Sequence, residues 1–112
     1  MVVFISVNDQ KIMLLNGGSQ FKFNESISLV VSCDTQRDID YYWEKLTAGG
    51  DPKAQVCGWL KDRYGLSWQV SPRGMEEMLR DPESPGAKRA FNAMLTMAKM
   101  DIAALEKAYR GE

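Results

Sequence analysis

The order of hydrophobic and polar positions divides the chain into a strand-rich first part and a helical last part. Two short aliphatic runs, residues 2–7 and 11–16, flank the polar residues Asn8-Asp9-Gln10, which predicts a β-hairpin. Residues 26–33 alternate between apolar and polar side chains, as a strand does when only one of its faces lies against a core. The first third of the chain therefore predicts three strands.

A helix is predicted next, because apolar side chains recur at helical spacing after Asp34 and Thr35, either of which can act as the N-cap. Gly49 and Gly50 end this pattern, as glycines do at the C-termini of helices. The predicted apolar stripe consists of Ile39, Tyr42, Trp43 and Leu46.

Beyond this helix, the pattern predicts two more strands, at residues 56–62 and 66–71, and then helices only. Start signals for three helices follow at Ser71-Pro72, Ser84-Pro85 and Asp101. Because strands and helices do not alternate strictly, the predicted fold class is α+β with an antiparallel or mixed sheet.

Composition and charge narrow the class of protein. A length of 112 residues fits a single domain, residues 1–112. The formal net charge of −1 provides no basic excess for a phosphate backbone, so nucleic-acid binding is not expected. The chain contains no histidine, which excludes imidazole-based acid–base catalysis and imidazole metal ligands. Cys33 and Cys57 lack the CxxC spacing of redox motifs. No apolar run is long enough for a membrane span. We therefore expect a cytoplasmic protein with reduced thiols.

Four stretches together resemble one protein family. They are LNGGSQFKFN at residues 15–24, YYWEKL at 41–46, CGWLKDRYGLSWQ at 57–69 and MLTMAKMDIAAL at 94–105. In this order they are similar to the PhnB-like branch of the glyoxalase/bleomycin-resistance/extradiol-dioxygenase superfamily, the vicinal oxygen chelate proteins. This branch is often labelled 3-demethylubiquinone-9 3-methyltransferase. The resemblance spans nearly the whole chain.

The resemblance implies paired glyoxalase-like βαβββ modules whose curled sheets enclose a small-molecule cavity. Residues 1–18 would be the remaining hairpin of an incomplete first module, without its leading strand, helix and strand. Residues 26–71 would form the second module, with its third strand reduced or lost at 51–55, and residues 72–112 the C-terminal helices. A partial sheet has an unpaired edge and an uncovered apolar face, so we expect a homodimer whose copies complete each other.

Enzymes of the superfamily usually hold a divalent metal ion with His and Glu side chains, and the resemblance places other residues at those positions here. Gln69 occupies the usual glutamate position, and Ser26 or Ser28 falls where histidine is frequent. Leu15 takes the equivalent place in the first hairpin. An amide oxygen is a weak ligand compared with a carboxylate. We therefore expect neither a catalytic metal nor another cofactor.

A cavity for a small, mostly uncharged ligand is then the remaining candidate site. Strand alternation, with pairing across residues 62–65, predicts that Leu60, Ser67 and Gln69 lie on one face, with Gln69 as the polar anchor. The alternative for Gln69 is a structural hydrogen bond to a neighbouring strand or to water. The predicted ligand-binding set also includes Ser26, Ser28, Met13 and Leu15.

Three functions remain open. The first is binding of a small molecule without a catalytic metal. The second is a metal-dependent enzyme of the superfamily: a lyase, a dioxygenase or the labelled methyltransferase. Methyl transfer is disfavoured because the pattern lacks the doubly wound sheet and Gly-rich loop of a common S-adenosylmethionine-dependent architecture. The third is a structural or partner-binding fragment, and whether the chain is an enzyme stays open.

Overall fold

The computed structural model describes residues 1–112 and confirms the α+β class, with four α-helices after or between five strands. None of the helices combines the length and apolar character needed to cross a bilayer. The strands are β1 (Val2–Val7), β2 (Gln10–Leu15), β3 (Ser28–Cys33), β4 (Trp59–Lys61) and β5 (Ser67–Pro72). The α-helices are α1 (Gln36–Thr47), α2 (Met75–Met78), α3 (Pro85–Met94) and α4 (Ile102–Arg110), and a short 3-10 helix spans Pro52–Ala54.

The first hairpin forms a sheet of its own, in which β1 and β2 pair antiparallel from Val2 opposite Leu15 to Val7 opposite Gln10. Only Asn8 and Asp9 lie between the strands, and both have positive φ angles, 50° and 66°. Two such residues form a type I′ turn, whose twist matches that of the strands. The predicted hairpin is therefore confirmed.

The second sheet has the strand order β3-β5-β4 and is mixed, as expected. β3 runs parallel to β5, and α1 lies between them in the chain. β4 runs antiparallel to β5. The strands therefore form two separate sheets and do not curl into a single one, so the larger sheet has free edges at β3 and β4.

The main core lies between α1, the larger sheet and the C-terminal helices. Thr35 caps α1 by accepting a hydrogen bond from the backbone N–H of Asp38 (3.1 Å), as predicted. The helix places Ile39, which is fully buried, against the sheet. Its partners in the buried cluster are Cys33, Leu60, Val70, Met100 and Leu105.

β4 is shorter than the pattern predicts, because residues 56–58 form a tight turn and not a strand. Val56 forms an isolated bridge with Trp59, while Cys57 and Gly58 have φ angles of 53° and 86°. The backbone N–H groups of Cys57 and Gly58 donate to the carbonyl oxygens of Met97 and Ala98, each at 2.8 Å. This turn is thereby held against the segment that follows α3.

The start of the C-terminal region differs from the prediction. Ser71-Pro72 does not begin a helix, because β5 runs through Pro72, which lies opposite Cys33 at the end of β3. The helix that follows is only the single turn of α2. The other two start signals are confirmed: Ser84 caps α3 and Asp101 caps α4, each through a side-chain oxygen that accepts a backbone N–H bond at 3.1 Å.

Candidate functional site

A cleft of about 400 Å³ opens beside the larger sheet, next to the antiparallel pair β4–β5. Ser67 comes from β5, and the 3-10 helix with its cap residue forms another wall. Glu25, from the segment between β2 and β3, closes one side. The lining residues are Glu25, Asp51, Lys53, Ala54, Trp59, Leu60, Lys61 and Ser67.

Ser67 is the feature of this cleft that packing alone does not explain. Ser67 is 1% exposed, and its hydroxyl has no hydrogen-bond partner among the other groups of the protein. No other side-chain nitrogen or oxygen of the chain is both fully buried and unpaired. A buried polar group without a partner costs about 1–3 kcal/mol. The hydroxyl therefore has unused hydrogen-bonding capacity at the wall of the cleft.

Gln69 adopts the structural alternative considered for it. Its side-chain Nε2 donates a hydrogen bond to the Ser28 hydroxyl at 2.9 Å, across the parallel pair β3–β5. Gln69 also borders a smaller cavity of about 170 Å³, whose lining includes several sulphur-containing side chains. Besides Gln69 this cavity is lined by Cys57, Gly58, Trp59, Val70, Ser71, Met75, Met94 and Met100.

The prediction that Leu60 shares a face with Gln69 is wrong. The observed register pairs Trp59 with Gln69, Leu60 with Trp68 and Lys61 with Ser67. Directly opposite residues of an antiparallel pair lie on the same face, so Leu60 lies on the face opposite to Gln69. Its buried side chain belongs to the main core, although Leu60 also borders the cleft.

One additional residue in the β4–β5 connection causes this difference. Gly65 donates to the carbonyl of Asp62, and Asp62 donates to the carbonyl of Leu66, each at 2.9 Å. Two residues, Gly65 and Leu66, thus lie opposite the single residue Asp62. This is the pattern of a G1 bulge, with Gly65 at φ 87°. A shift of one residue moves every side chain of β4 to the other face.

Asp62 is a residue whose structural role the sequence reasoning missed. Its Oδ1 accepts the backbone N–H groups of Tyr64 and Leu66, and its Oδ2 accepts the indole N–H of Trp68 at 2.9 Å. Aspartate at the first position of a turn commonly accepts such bonds, and this signal was present in the sequence. Asp62 fixes the bulge and hence which residues of β4 reach the cleft.

The remaining predicted site residues lie apart from the cleft. Ser26 donates to the Asn24 side chain within the connecting segment. Met13 and Leu15 lie on the separate hairpin, where more than half of each residue is exposed. Their participation in ligand binding stays a prediction, as it does for Gln69 and Ser28.

The electrostatics of the cleft centre on an ion pair between Glu25 and Lys61. The hydrogen bond from Lys61 lowers the pKa of the Glu25 carboxyl below its ordinary value. Asp51 is engaged differently, since its Oδ1 accepts the backbone N–H of Lys53 at 2.9 Å and caps the 3-10 helix. The Lys53 ammonium group has no carboxylate within 4.0 Å.

A larger cleft of about 560 Å³ lies between the end of α2 and the outer side of α3. Exposed Phe91 makes it partly apolar, but it contains no buried unpaired polar group. Its polar side chains, Lys88 and Asn92, are not buried and unpaired as Ser67 is, so the cleft at Ser67 is the better candidate. The lining residues are Leu79, Pro82, Ala87, Lys88, Phe91 and Asn92.

The side chains present do not fit a divalent metal ion. No three or more Cys, Asp or Glu residues lie close enough together to hold one, and the chain has no histidine. At the position where relatives were expected to have a glutamate ligand, the Gln69 amide is bonded to Ser28. A divalent site normally needs three or four such ligands.

Comparisons with known proteins point to one family. The family model of 3-demethylubiquinone-9 3-methyltransferase matches residues 1–71. Among solved structures, the chain is similar to a PhnB protein from Bacillus cereus with the provisional name 3-demethylubiquinone-9 3-methyltransferase. The identity is 30%, the TM-score is 0.55, and the match covers 64% of this chain and 64% of the other. The match thus spans less than two thirds of the Bacillus cereus chain. No curated protein matches.

Proposed function

The chain belongs to the 3-demethylubiquinone-9 3-methyltransferase family, in its PhnB-like branch, and we propose that it binds a small molecule in the cleft at Ser67. The observation that carries this proposal is the buried, unpaired Ser67 hydroxyl at a cleft of about 400 Å³. Binding sites for small molecules are concave and combine apolar walls with a few placed polar groups. Trp59 and Leu60 provide the apolar part here.

The proposed binding involves no catalytic metal. Its support is the donor set, because the residues at the cleft offer two carboxylates that are already engaged, one with Lys61 and one at a helix cap. The methyltransferase name describes relatives, and the sheet order β3-β5-β4 of this chain differs from the doubly wound sheet of a common S-adenosylmethionine-binding fold. We therefore propose a binding protein and not a methyltransferase.

A thermal-shift screen tests this proposal, with small aromatic amides, alcohols and acids, each in the presence and absence of Mn²⁺, Ni²⁺ and Zn²⁺. We expect stabilisation by an organic compound alone. Stabilisation only when a metal is added would overturn the proposal in favour of a metal-dependent enzyme. If no compound raises the melting temperature, the proposal is also wrong, and a partner-binding role gains support.

The Ser67→Ala variant locates the site. Because the Ser67 hydroxyl has no hydrogen-bond partner within the protein, its removal should leave the melting temperature unchanged or raise it, while the ligand-induced shift is lost. Ser32→Ala on β3 is the matched control, since Ser32 is exposed and lies outside the cleft. A Ser67→Ala variant that keeps the full ligand-induced shift would exclude this cleft.

We also propose that the chain forms a homodimer through the β1–β2 hairpin. Apart from half-buried Ile12, every residue of both strands is exposed, although most side chains are large and apolar on both faces of the hairpin. Strands that are apolar on both faces are typical of sheets covered on both sides. A two-stranded hairpin is at best marginally stable in water without such cover.

The shape of the molecule supports the same proposal. Its radius of gyration is 16.2 Å, whereas a compact domain of this length has about 13 Å. Its extents are 54 × 30 × 26 Å, so the chain is elongated. A second copy offers the hairpin an equivalent apolar surface and the free edges of β3 and β4.

A cytoplasmic location is a further part of the proposed function. It is supported by the two cysteines, Cys33 and Cys57, which are both free thiols. Thiols persist in reducing compartments and tend to be oxidised outside the cell. Fractionation of cells that express the tagged chain at native level tests this point.

A further inference from the structure

The ion pair between Glu25 and Lys61 joins a weakly packed segment to a well-packed strand. Lys61 belongs to β4, and 30% of its side chain is exposed. Glu25 lies in residues 16–27, which form neither helix nor strand, and 66% of its side chain is exposed. The neighbouring Phe23 and Ile27 are also exposed, so little apolar packing holds this segment in place. The Glu25 side chain can therefore leave the cleft without disturbing the core.

Withdrawal of Glu25 would change the charge of the cleft. With Glu25 in place, two carboxylates, from Glu25 and Asp51, oppose two ammonium groups, from Lys53 and Lys61. Asp51 is fixed as a helix cap, and Lys53 has no carboxylate partner. Without Glu25 the cleft keeps two cations and one anion. One net positive charge then lies beside the unpaired Ser67 hydroxyl and the half-buried Trp59 ring.

We propose that Glu25 occupies the place of a ligand carboxylate, and that the cleft takes a small, planar monocarboxylate which displaces Glu25 from Lys61. This inference rests on the proposed binding function and names its ligand class. One carboxylate oxygen would pair with Lys61, and the other would accept a hydrogen bond from Ser67, which lies directly opposite Lys61 in the sheet. The flat part would lie against Trp59. A monoanion balances the single positive charge, whereas a phosphate dianion would exceed it.

Benzoate and benzamide are suitable probes, because they share size and shape and differ in charge. Isothermal titration calorimetry of the wild-type protein should show tighter binding of benzoate than of benzamide. The variant Glu25→Gln should bind benzoate about two- to fivefold more tightly, since the competing exposed carboxylate is gone. Its affinity for benzamide should not change. Glu44→Gln, on the exposed side of α1, is the matched control and should leave both affinities unchanged.

Lys61→Met should abolish the preference for benzoate, and its folding can be checked by circular dichroism. If benzoate and benzamide bind equally and Glu25→Gln changes neither, the carboxylate inference is overturned while the binding cleft stands. The carboxylate inference is also overturned, and the binding cleft also stands, if only neutral compounds from the thermal-shift screen bind and Ser67→Ala abolishes that binding. If nothing binds in the screen or in the titrations, both proposals are wrong.

Discussion

The side-chain amide of Gln69 donates a hydrogen bond of 2.9 Å to the hydroxyl of Ser28, which joins the two parallel strands β5 and β3. A residue at the position expected for a metal ligand thus acts as a cross-strand link. This bond accounts for an amide on β5 without invoking a ligand.

Gln69→Glu should fold and should not bind a divalent cation. The Ser28 hydroxyl can donate to the new carboxylate, so the link between the strands is kept. A single carboxylate lacks the further ligands that a divalent ion needs, since no three Cys, Asp or Glu side chains converge anywhere in the chain. Calorimetric titration with Mn²⁺ and Zn²⁺ checks this expectation. Stoichiometric binding to the variant, absent from the wild type, would contradict it.

Gly50 should not tolerate a side chain. A Cβ atom at this position would overlap the backbone carbonyl oxygen of Lys61, and backbone cannot move away as a flexible side chain does. Gly50→Ala should lower the free energy of unfolding by about 1–3 kcal/mol, measured by urea denaturation. Gly74→Ala is the control, because a Cβ there meets no atom within 4 Å. Equal stability of the two variants would argue against this contact between the helix end and β4.

Gln36 should matter for the docking of α4 on α1. Its Nε2 donates to the Met100 carbonyl at 2.9 Å, and its Oε1 accepts the backbone N–H of Ile102 at 2.8 Å. Gln36→Ala leaves both partly buried backbone groups without a partner, so we expect a loss of about 1–3 kcal/mol in unfolding free energy. Gln20→Ala, in the exposed connecting segment, should have no measurable effect. Hydrogen exchange at Ile102 should accelerate only in the Gln36 variant.

Asp40 should make stability depend on pH in the acidic range. Hydrogen bonds from Lys99 (salt-bridge distance 2.8 Å) and from Gln36 lower the pKa of its carboxyl below the ordinary value. A group with a lowered folded-state pKa contributes stability above its unfolded pKa, about 3.9 for Asp, and loses it as the pH falls through the folded value. The stability difference between wild type and Asp40→Asn should therefore shrink below about pH 4. Urea unfolding from pH 7 to pH 3 measures this stability difference, with Glu44→Gln as the control. A stability difference that stays constant with pH would contradict the prediction.

The proposed dimer predicts a strong effect of charge in the hairpin. Phe4 is 64% exposed, so Phe4→Glu should cost a monomer little, but it would place a carboxylate in an apolar interface. Light scattering after size exclusion should give twice 12.6 kDa for the wild type at micromolar concentration and a single-chain mass for the variant. Phe21→Glu, outside the hairpin and more exposed, is the control and should remain dimeric. A folded wild-type monomer would exclude the proposed dimer.

Local signals predicted much of the fold. The caps at Thr35, Ser84 and Asp101 and the hairpin turn at Asn8 and Asp9 depend on residues within a few positions of each other, and all are confirmed. A side-chain oxygen that accepts a nearby N–H, or a short turn between apolar runs, needs little information from the rest of the chain.

Features that depend on distant residues were harder to predict. Pro72 resembles the first residue of a helix, but its pairing opposite Cys33 makes it the end of a strand. The face on which Leu60 lies depends on one additional residue in a turn, because strand periodicity is two. The cleft was only partly predicted: Ser67 was identified from alternation, whereas Glu25 and Lys61, which are 36 positions apart, meet only in the folded chain.

The length of residues 16–27 has a consequence for how the hairpin is covered. A fully extended segment of this length spans about 40 Å, longer than either of the two shorter dimensions of the molecule. Residues 16–27 are therefore long enough for β1 and β2 to reach either the sheet of their own chain or that of a neighbour. Protein concentration would decide between the two, because only the contact with a neighbour is bimolecular.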